Sequence, residues 1–244
     1  LFRSGFSHGN VYPYIYTPGD INNGAQTILD RYVACSNGEV KFLEDSRKDF
    51  KNGLESSAEI VTYNEPFYER LKNSIQNGPA VSTVKTVMLV GFPFSVNMYN
   101  NLLYLHLETK IIKTLKGFGF RVIYKAHPDS LAETGKFFEK IADSLITETF
   151  ESSCAVADCI LFPIHYSTTF GFSLMTNRPI VIMMSPLLKP WHPEASGPIA
   201  ERCAQVDLSF DDRNLFSFDN DKLLSEITRS VKLMGTKFVE KFAF

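Results

Sequence analysis

At 244 residues, with 44% hydrophobic and 21% charged side chains, the chain is long enough for one large or two small buried cores, and its composition excludes disordered and collagen-like classes. Its 25 Lys and Arg against 27 Asp and Glu leave a net charge of −2, without the basic surplus that nucleic-acid binders use to neutralise phosphates. No apolar run approaches the ~18 residues of a membrane-spanning helix.

The chain opens at Leu1 without the charged, apolar and small-residue segments of a signal peptide, and reads as a piece of a longer protein. Its four cysteines, Cys35, Cys154, Cys159 and Cys203, show no CxxC spacing and are expected as reduced, buried thiols of a cytosolic protein. Near the start, Gly5-Phe6-Ser7-His8-Gly9 reads as a strand end followed by a tight turn that displays His8, and Asp30 to Ser36 resembles a second strand. Asn, Ser, Gly and Pro then gather at Asn73 to Thr83, the clearest composition break.

Beyond the break, short apolar runs alternate with helical patterns. Thr86 to Gly91 predicts a buried strand. Leu103, Leu107, Ile111 and Leu115 recur every four residues and predict a helix closed by Gly117 and Gly119. Phe120 to Lys125 is the next strand, ended by Pro128, and a helix follows with Phe137, Phe138 and Ile141 on one face. Asp158 to Pro163 is a third strand, Thr168 to Met175 a helix, Pro179 to Met184 a fourth strand, and Val206 to Leu208 a short fifth. Ser185 to Pro198, with four prolines, is too irregular for a helix and reads as a loop. One closing helix is expected to carry Leu224, Ile227, Val231, Met234 and Phe238 on a single stripe.

Strict alternation implies an α/β fold with parallel strands and right-handed crossovers. Such sheets bind ligands beyond the carboxyl ends of their strands, so the residues after Lys125, Pro163 and Met184 are expected on one rim. There the chain places His127-Pro128 within Lys125-Ala126-His127-Pro128-Asp129, where Pro128 holds a turn and His127 can donate to a phosphate. It also places Ser167-Thr168-Thr169 at a helix start. Those hydroxyls suit capping, and the same geometry suits an anion.

His-Gly in a first half, then His-Pro and a paired hydroxyl motif after successive strands of a second, resembles the GT-B glycosyltransferases. The pattern is similar to the CDP-glycerol glycerophosphotransferases of teichoic acid synthesis and to the bacterial sialyl-, polysialyl- and capsule-polymer transferases. The resemblance covers about residues 5–46 and then 86 through the final helix. It implies a partial N-terminal, acceptor-side domain over residues 1–80 and a Rossmann-like parallel-sheet donor domain over 81–244, with the last helix crossing back to the first half. By the same resemblance His8 acts as base or leaving-phosphate contact, and His127-Pro128, Ser167, Thr168 and Thr169 hold the donor phosphates beside Lys125. Asp158 matches an acidic residue expected to be structural.

The sequence departs from the teichoic-acid pattern at two positions. His165 stands where an aspartate precedes the hydroxyl motif, and Phe172 where the following helix carries a glutamate.

The resemblance implies a transferase using a nucleotide-activated sugar or polyol donor, CMP- or CDP-linked, to build a cell-surface polysaccharide. The resemblance implies no separate cofactor and no metal. Its partners would be that donor and a glycan or lipid-linked acceptor, with no nucleic acid. The expected location is the cytoplasm, at the inner face of a membrane through peripheral contact. Two alternatives stand beside it. One is a non-catalytic nucleotide- or glycan-binding module of a larger assembly. The other is a sugar-nucleotide 2-epimerase relative, which would need a pair of cleft carboxylates that the sequence does not reveal.

Overall fold

The computed structural model describes residues 4–6, 30–34, 37–48, 58–62, 80–92, 98–165, 167–188 and 190–242. Two parallel sheets carry the fold, and the larger one is built around Thr86–Val90 (β4). All but the first residue of this strand is buried. Val87 and Leu89 enter one apolar core, and Met88 and Val90 the other. A strand apolar on both faces must be covered on both faces, which is the environment of a parallel sheet between helices.

Parallel neighbours lie on each side of β4. Arg121–Lys125 (β5) pairs with Val90 opposite Lys125, and Cys159–Phe162 (β7) pairs with Leu89 opposite Leu161. Ser144–Ile146 (β6) continues the sheet beyond β5, while Ile180–Met184 (β8) and Ala204–Asp207 (β9) extend it beyond β7. The strands are parallel, as the alternation predicts, and the order β6-β5-β4-β7-β8-β9 is that of the Rossmann-like sheet that the resemblance implies. After β6 the chain returns to the centre and builds outward on the other side.

Met98–Gly117 (α2), Leu131–Ile141 (α3) and Asn220–Ser230 (α7) cover one face with Leu107, Ile111, Phe138, Leu223 and Ile227. Gly119, at φ 85, turns the chain out of α2. Phe150–Ser153 (α4), Thr168–Ser173 (α5), Pro193–Arg202 (α6) and Lys237–Phe242 (α8) cover the other face with Phe150, Phe170, Ile199 and Phe238. A two-stranded hairpin of Ser209–Phe210 (β10) and Phe216–Ser217 (β11) follows β9 and packs on α2.

The smaller sheet comprises Ser4–Phe6 (β1), Arg31–Ala34 (β2) and Glu59–Thr62 (β3), with Asn37–Lys48 (α1) packed on it. Its strands are also parallel. The final helix α8 packs against α6 and α1, and Lys241 pairs with Glu194 of α6 at 2.7 Å. The expected return of the last helix to the first half is therefore present.

Three expectations are corrected. The proline-rich stretch after β8 is a loop only to His192, and α6 begins at Pro193. Pro193 takes the first helical position, where no N–H is needed, and the His192 ring accepts the N–H of Glu194 as a cap. Pro198 is carried inside the helix because Ala195 and Ile199 on either side of it are fully buried in the core.

The closing helix is two helices. α7 stops at Ser230, and the segment to Thr236 is pinned to the end of α6. The Gly235 N–H reaches the Glu201 carbonyl at 3.2 Å, and Arg202 donates to the Leu233 carbonyl at 3.3 Å. The single stripe is broken accordingly. Leu223 takes the buried place assigned to Leu224, and Met234 is exposed. Phe137, expected on the inner face of α3, is also exposed, whereas Phe138 stacks on Tyr124 and Ile141 packs against the core as expected.

Arg202 is itself only 2% exposed. Its guanidinium donates to the carbonyls of Ser173, at the end of α5, and of Leu174, Thr176 and Arg178 in the turn that follows. Replacing it by leucine removes every one of those donors at once. Arg202→Leu is expected to lower unfolding free energy by roughly 3 kcal/mol or more, measured as a shifted urea midpoint at unchanged slope.

Candidate functional site

The break in strand order between β4 and β7 opens a crevice at the carboxyl edge of the sheet. A cleft of about 250 Å³ lies there, bounded by Gly91 after β4, Lys125 and His127 at the end of β5, Glu148 and Glu151 after β6, and Thr169 of α5.

Lys125 closes β5 with its side chain largely buried, and its ammonium donates to the Ala126 carbonyl at 2.7 Å. Burial lowers its pKa below the ordinary lysine value, while the carboxylates of Glu151 and Glu148 oppose that shift.

His127 follows in extended conformation and caps the short turn Pro128–Ser130, with Pro128 at its start. The Nδ1 atom accepts the Asp129 N–H at 3.2 Å, so the neutral ring carries its proton on Nε2 and is a donor there. Burial also lowers the His127 pKa; the Asp129 carboxylate opposes the shift and Lys125 reinforces it. Near neutral pH His127 is thus a hydrogen-bond donor rather than a cation.

The hydroxyl run divides. Ser167 is the N-cap of α5 and accepts the Phe170 N–H at 3.1 Å, so the capping reading holds for it. Thr169 faces the cleft. Thr168 opens the helix, and its backbone alone is described. His8 lies outside the described residues, just beyond the end of β1. The sequence-predicted Lys125, His127, Pro128 and Thr169 therefore meet around one cleft.

The two departures from the teichoic-acid pattern are core positions. His165 is fully buried, with its ring centroid 4.0 Å from that of Trp191. Phe172 packs edge-on against Phe150. Asp158 is structural, accepting the N–H groups of Lys85 and Thr86 at the start of β4 at 2.9 and 2.8 Å. Cys154, Cys159 and Cys203 are free and buried, as expected of reduced thiols.

Three residues of the site were not legible. Glu148, in the turn after β6, and Glu151, in the short helix α4, belong to a polar stretch that looks like any surface loop, and they supply in the cleft wall a pair of carboxylates that the sequence did not reveal. Glu108 of α2 holds the backbone just behind the cleft. Its signal was a carboxyl on an apolar stripe, four residues from Tyr104 and four from Ile112.

Among the described residues no cluster of His, Cys, Asp and Glu has the makings of a metal site, and no helix is long and apolar enough to cross a membrane.

No protein-family model matches the chain, and no curated protein does. Among solved structures it is similar to Os79 of O. sativa in complex with UDP and deoxynivalenol-3-glucoside. The TM-score is 0.47 and the identity 12%, over 90% of this chain and 52% of that one. It is also similar to UGT2 of Phytolacca americana complexed with UDP-2-fluoro-glucose and pterostilbene. There the TM-score is 0.40 and the identity 13%, over 89% of this chain and 47% of that one. The chain spans about half the length of these structures.

Burial of His165 has a measurable consequence, because it pushes the imidazole down to about 4. Above pH 6.5 the residue is neutral whether the chain is folded or unfolded. As pH falls from 6.5 to 4, the unfolded chain gains a proton that the folded chain refuses, and stability is lost. The His165 share of that loss is roughly 3 kcal/mol. Urea unfolding of His165→Leu between pH 7 and 4 is expected to show an acid loss smaller by that amount than in the unmutated chain.

Proposed function

We propose that the chain contains the donor-binding half of a GT-B transferase, which passes a sugar or polyol phosphate from a cytidine-activated donor to a hydroxyl of a growing cell-surface glycan. The observation that carries this reading is the convergence of Lys125, His127 and Thr169 at the switch point of a parallel sheet. One ammonium, one neutral N–H donor and one hydroxyl suit the phosphate of an activated donor. Glu148 and Glu151, on the same wall, suit its hydroxyl groups, since a carboxylate at a strand end accepts hydrogen bonds from ribose or sugar hydroxyls.

The charge of the wall favours a donor with a single phosphate. The cleft presents one Lys, two Glu and a histidine held below its ordinary pKa, so two phosphate charges would meet a surplus of carboxylate. That supports a CMP-linked donor over a CDP-linked one.

In the transfer, the acceptor oxygen forms a bond to the donor's reactive carbon, or to phosphorus for a polyol phosphate. The bond from that atom to the departing nucleotide phosphate oxygen breaks. The acceptor proton passes to a base, and the negative charge stays on the leaving phosphate. Donors fixed before the reaction stabilise that charge: the Lys125 ammonium, the Nε2–H of His127 and the Thr169 hydroxyl. The base falls to His8, since an imidazole is a suitable proton acceptor near neutral pH. Under this reading the acceptor is a glycan or lipid-linked chain at the inner face of a membrane, which the protein meets peripherally from the cytoplasm.

The carboxylate pair favours a second reading, a sugar-nucleotide 2-epimerase relative in which Glu148 and Glu151 move protons on the sugar. The products separate the two: transfer releases free nucleotide and lengthens an acceptor, whereas epimerisation leaves the nucleotide attached.

Calorimetry with CMP, CDP, UMP and UDP tests the donor site. CMP is expected to bind most tightly, His127→Ala to weaken it at least tenfold, and Thr169→Val to weaken it severalfold. Affinity for CMP is also expected to rise below pH 6 as His127 takes a proton and adds charge. Failure of all four nucleotides to bind the folded chain would sink the assignment.

A further inference from the structure

The floor of the cleft is held from behind by a group to which the proposed transfer gives no role. Glu108 lies mid-way along α2, 2% exposed, on the face that packs against β4 and β5. One carboxyl oxygen accepts the backbone N–H of Phe92 at 2.5 Å, and the other accepts the Tyr124 hydroxyl at 3.0 Å. The Phe92 carbonyl in turn accepts the Ser130 hydroxyl at 2.9 Å, and Ser130 ends the turn that His127 caps. Gly91, one residue earlier, donates its N–H to the Lys125 carbonyl at 2.8 Å. There is no room to spare in this arrangement, since a Cβ on Gly91 would lie 2.5 Å from the Tyr124 hydroxyl. Three segments of the cleft wall, at Gly91, Lys125 and His127, thus belong to one hydrogen-bonded unit with Glu108 behind it.

We propose that Glu108 is a positioning residue which, through Phe92 and Tyr124, sets the separation of the β4 and β5 ends and so the placement of Gly91, Lys125 and His127 around a bound phosphate. The proposal rests on reading the cleft as the donor-phosphate site. A leucine would fill the same space on the apolar stripe without the desolvation cost of a carboxyl. What the carboxyl adds is two acceptors, and both of its bonds go to groups at or next to the cleft wall.

Burial pushes Glu108 up to about 8, opposed by its bonds to Phe92 and Tyr124, so it is a neutral acid at pH 7. Among the described residues Tyr124 is the titratable group in contact with it. Burial and Glu108 itself hold that phenol far above its ordinary value, so it stays protonated through this range. Phe92, the other residue bonded to the carboxyl, has no titratable side chain.

The test uses the full chain, with backbone amide resonances as one readout and CMP calorimetry as the other. In the unmutated chain the Gly91, Lys125 and His127 amides are expected to shift together through a midpoint near pH 8. Glu108→Gln keeps the Phe92 bond on its amide oxygen and meets the Tyr124 hydroxyl oxygen with its amide N–H, as the neutral acid does with its O–H. It is expected to hold those amides at their pH 7 positions throughout and to bind CMP within twofold of the unmutated chain at pH 7. Glu108→Leu is expected to displace the three amides together and to weaken CMP at least tenfold.

A folded leucine variant whose three amides stay in place overturns the proposal. So does a titration that persists in the glutamine variant, which would assign it to another group such as Lys125. Absence of CMP binding throughout would remove the donor-site reading, and the amide positions would still decide the role of Glu108. If the leucine variant does not fold, the glutamine variant decides alone through its loss of the pH 8 transition.

Discussion

The cleft depends first on the parallel pairing of β4 with β5 on one side and β7 on the other. Parallel strands carry all their carboxyl ends to one edge, and a reversal of strand order leaves the loops there pointing apart. Residues more than thirty positions apart in sequence, such as Gly91 and Lys125, are brought within hydrogen-bond distance at that edge. The same pairing leaves both faces of β4 dry, which obliges the helices to cover the sheet on two sides.

Three buried polar side chains hold the fold at points where apolar packing has no directional control. Arg202 gathers the carbonyls of the turn that follows α5 and reaches across to the break between α7 and α8. Glu108 does the corresponding work at the other edge, tying the end of β4 to β5. His165 makes ring contacts with Trp191 and Phe170 instead, and is kept neutral by its surroundings. Each carries a desolvation cost, which hydrogen bonds offset for Arg202 and Glu108.

The electrostatics of the cleft are mixed. One lysine with a lowered pKa and one histidine held neutral stand beside two glutamates, so the site is not a general anion trap. Under the proposed reading, recognition in such a wall would work through matched donors and acceptors along an extended ligand, with phosphate at one end and hydroxyls at the other. His165 and Phe172, where the sequence departs from the teichoic-acid pattern, lie in the core, and the carboxylates of the cleft wall, Glu148 and Glu151, lie on its β6 side.

What the sequence by itself determined was the succession of the central elements, because each declares its burial locally. Runs such as Thr86 to Val90 and Ile180 to Met184 are apolar on both faces, and Leu103 to Leu115 repeats at helical spacing. His127-Pro128 and the Ser167 cap were legible for the same reason, since proline and N-cap chemistry act over two or three residues. Tertiary structure alone decided the rest. Burial of Ala195 and Ile199 makes a helix of a stretch with proline inside it, and contact with Glu201 and Arg202 splits the closing helix in two. Glu148, Glu151 and Glu108 gain their meaning from strands distant in sequence, and no local pattern records which ends a parallel sheet will bring together.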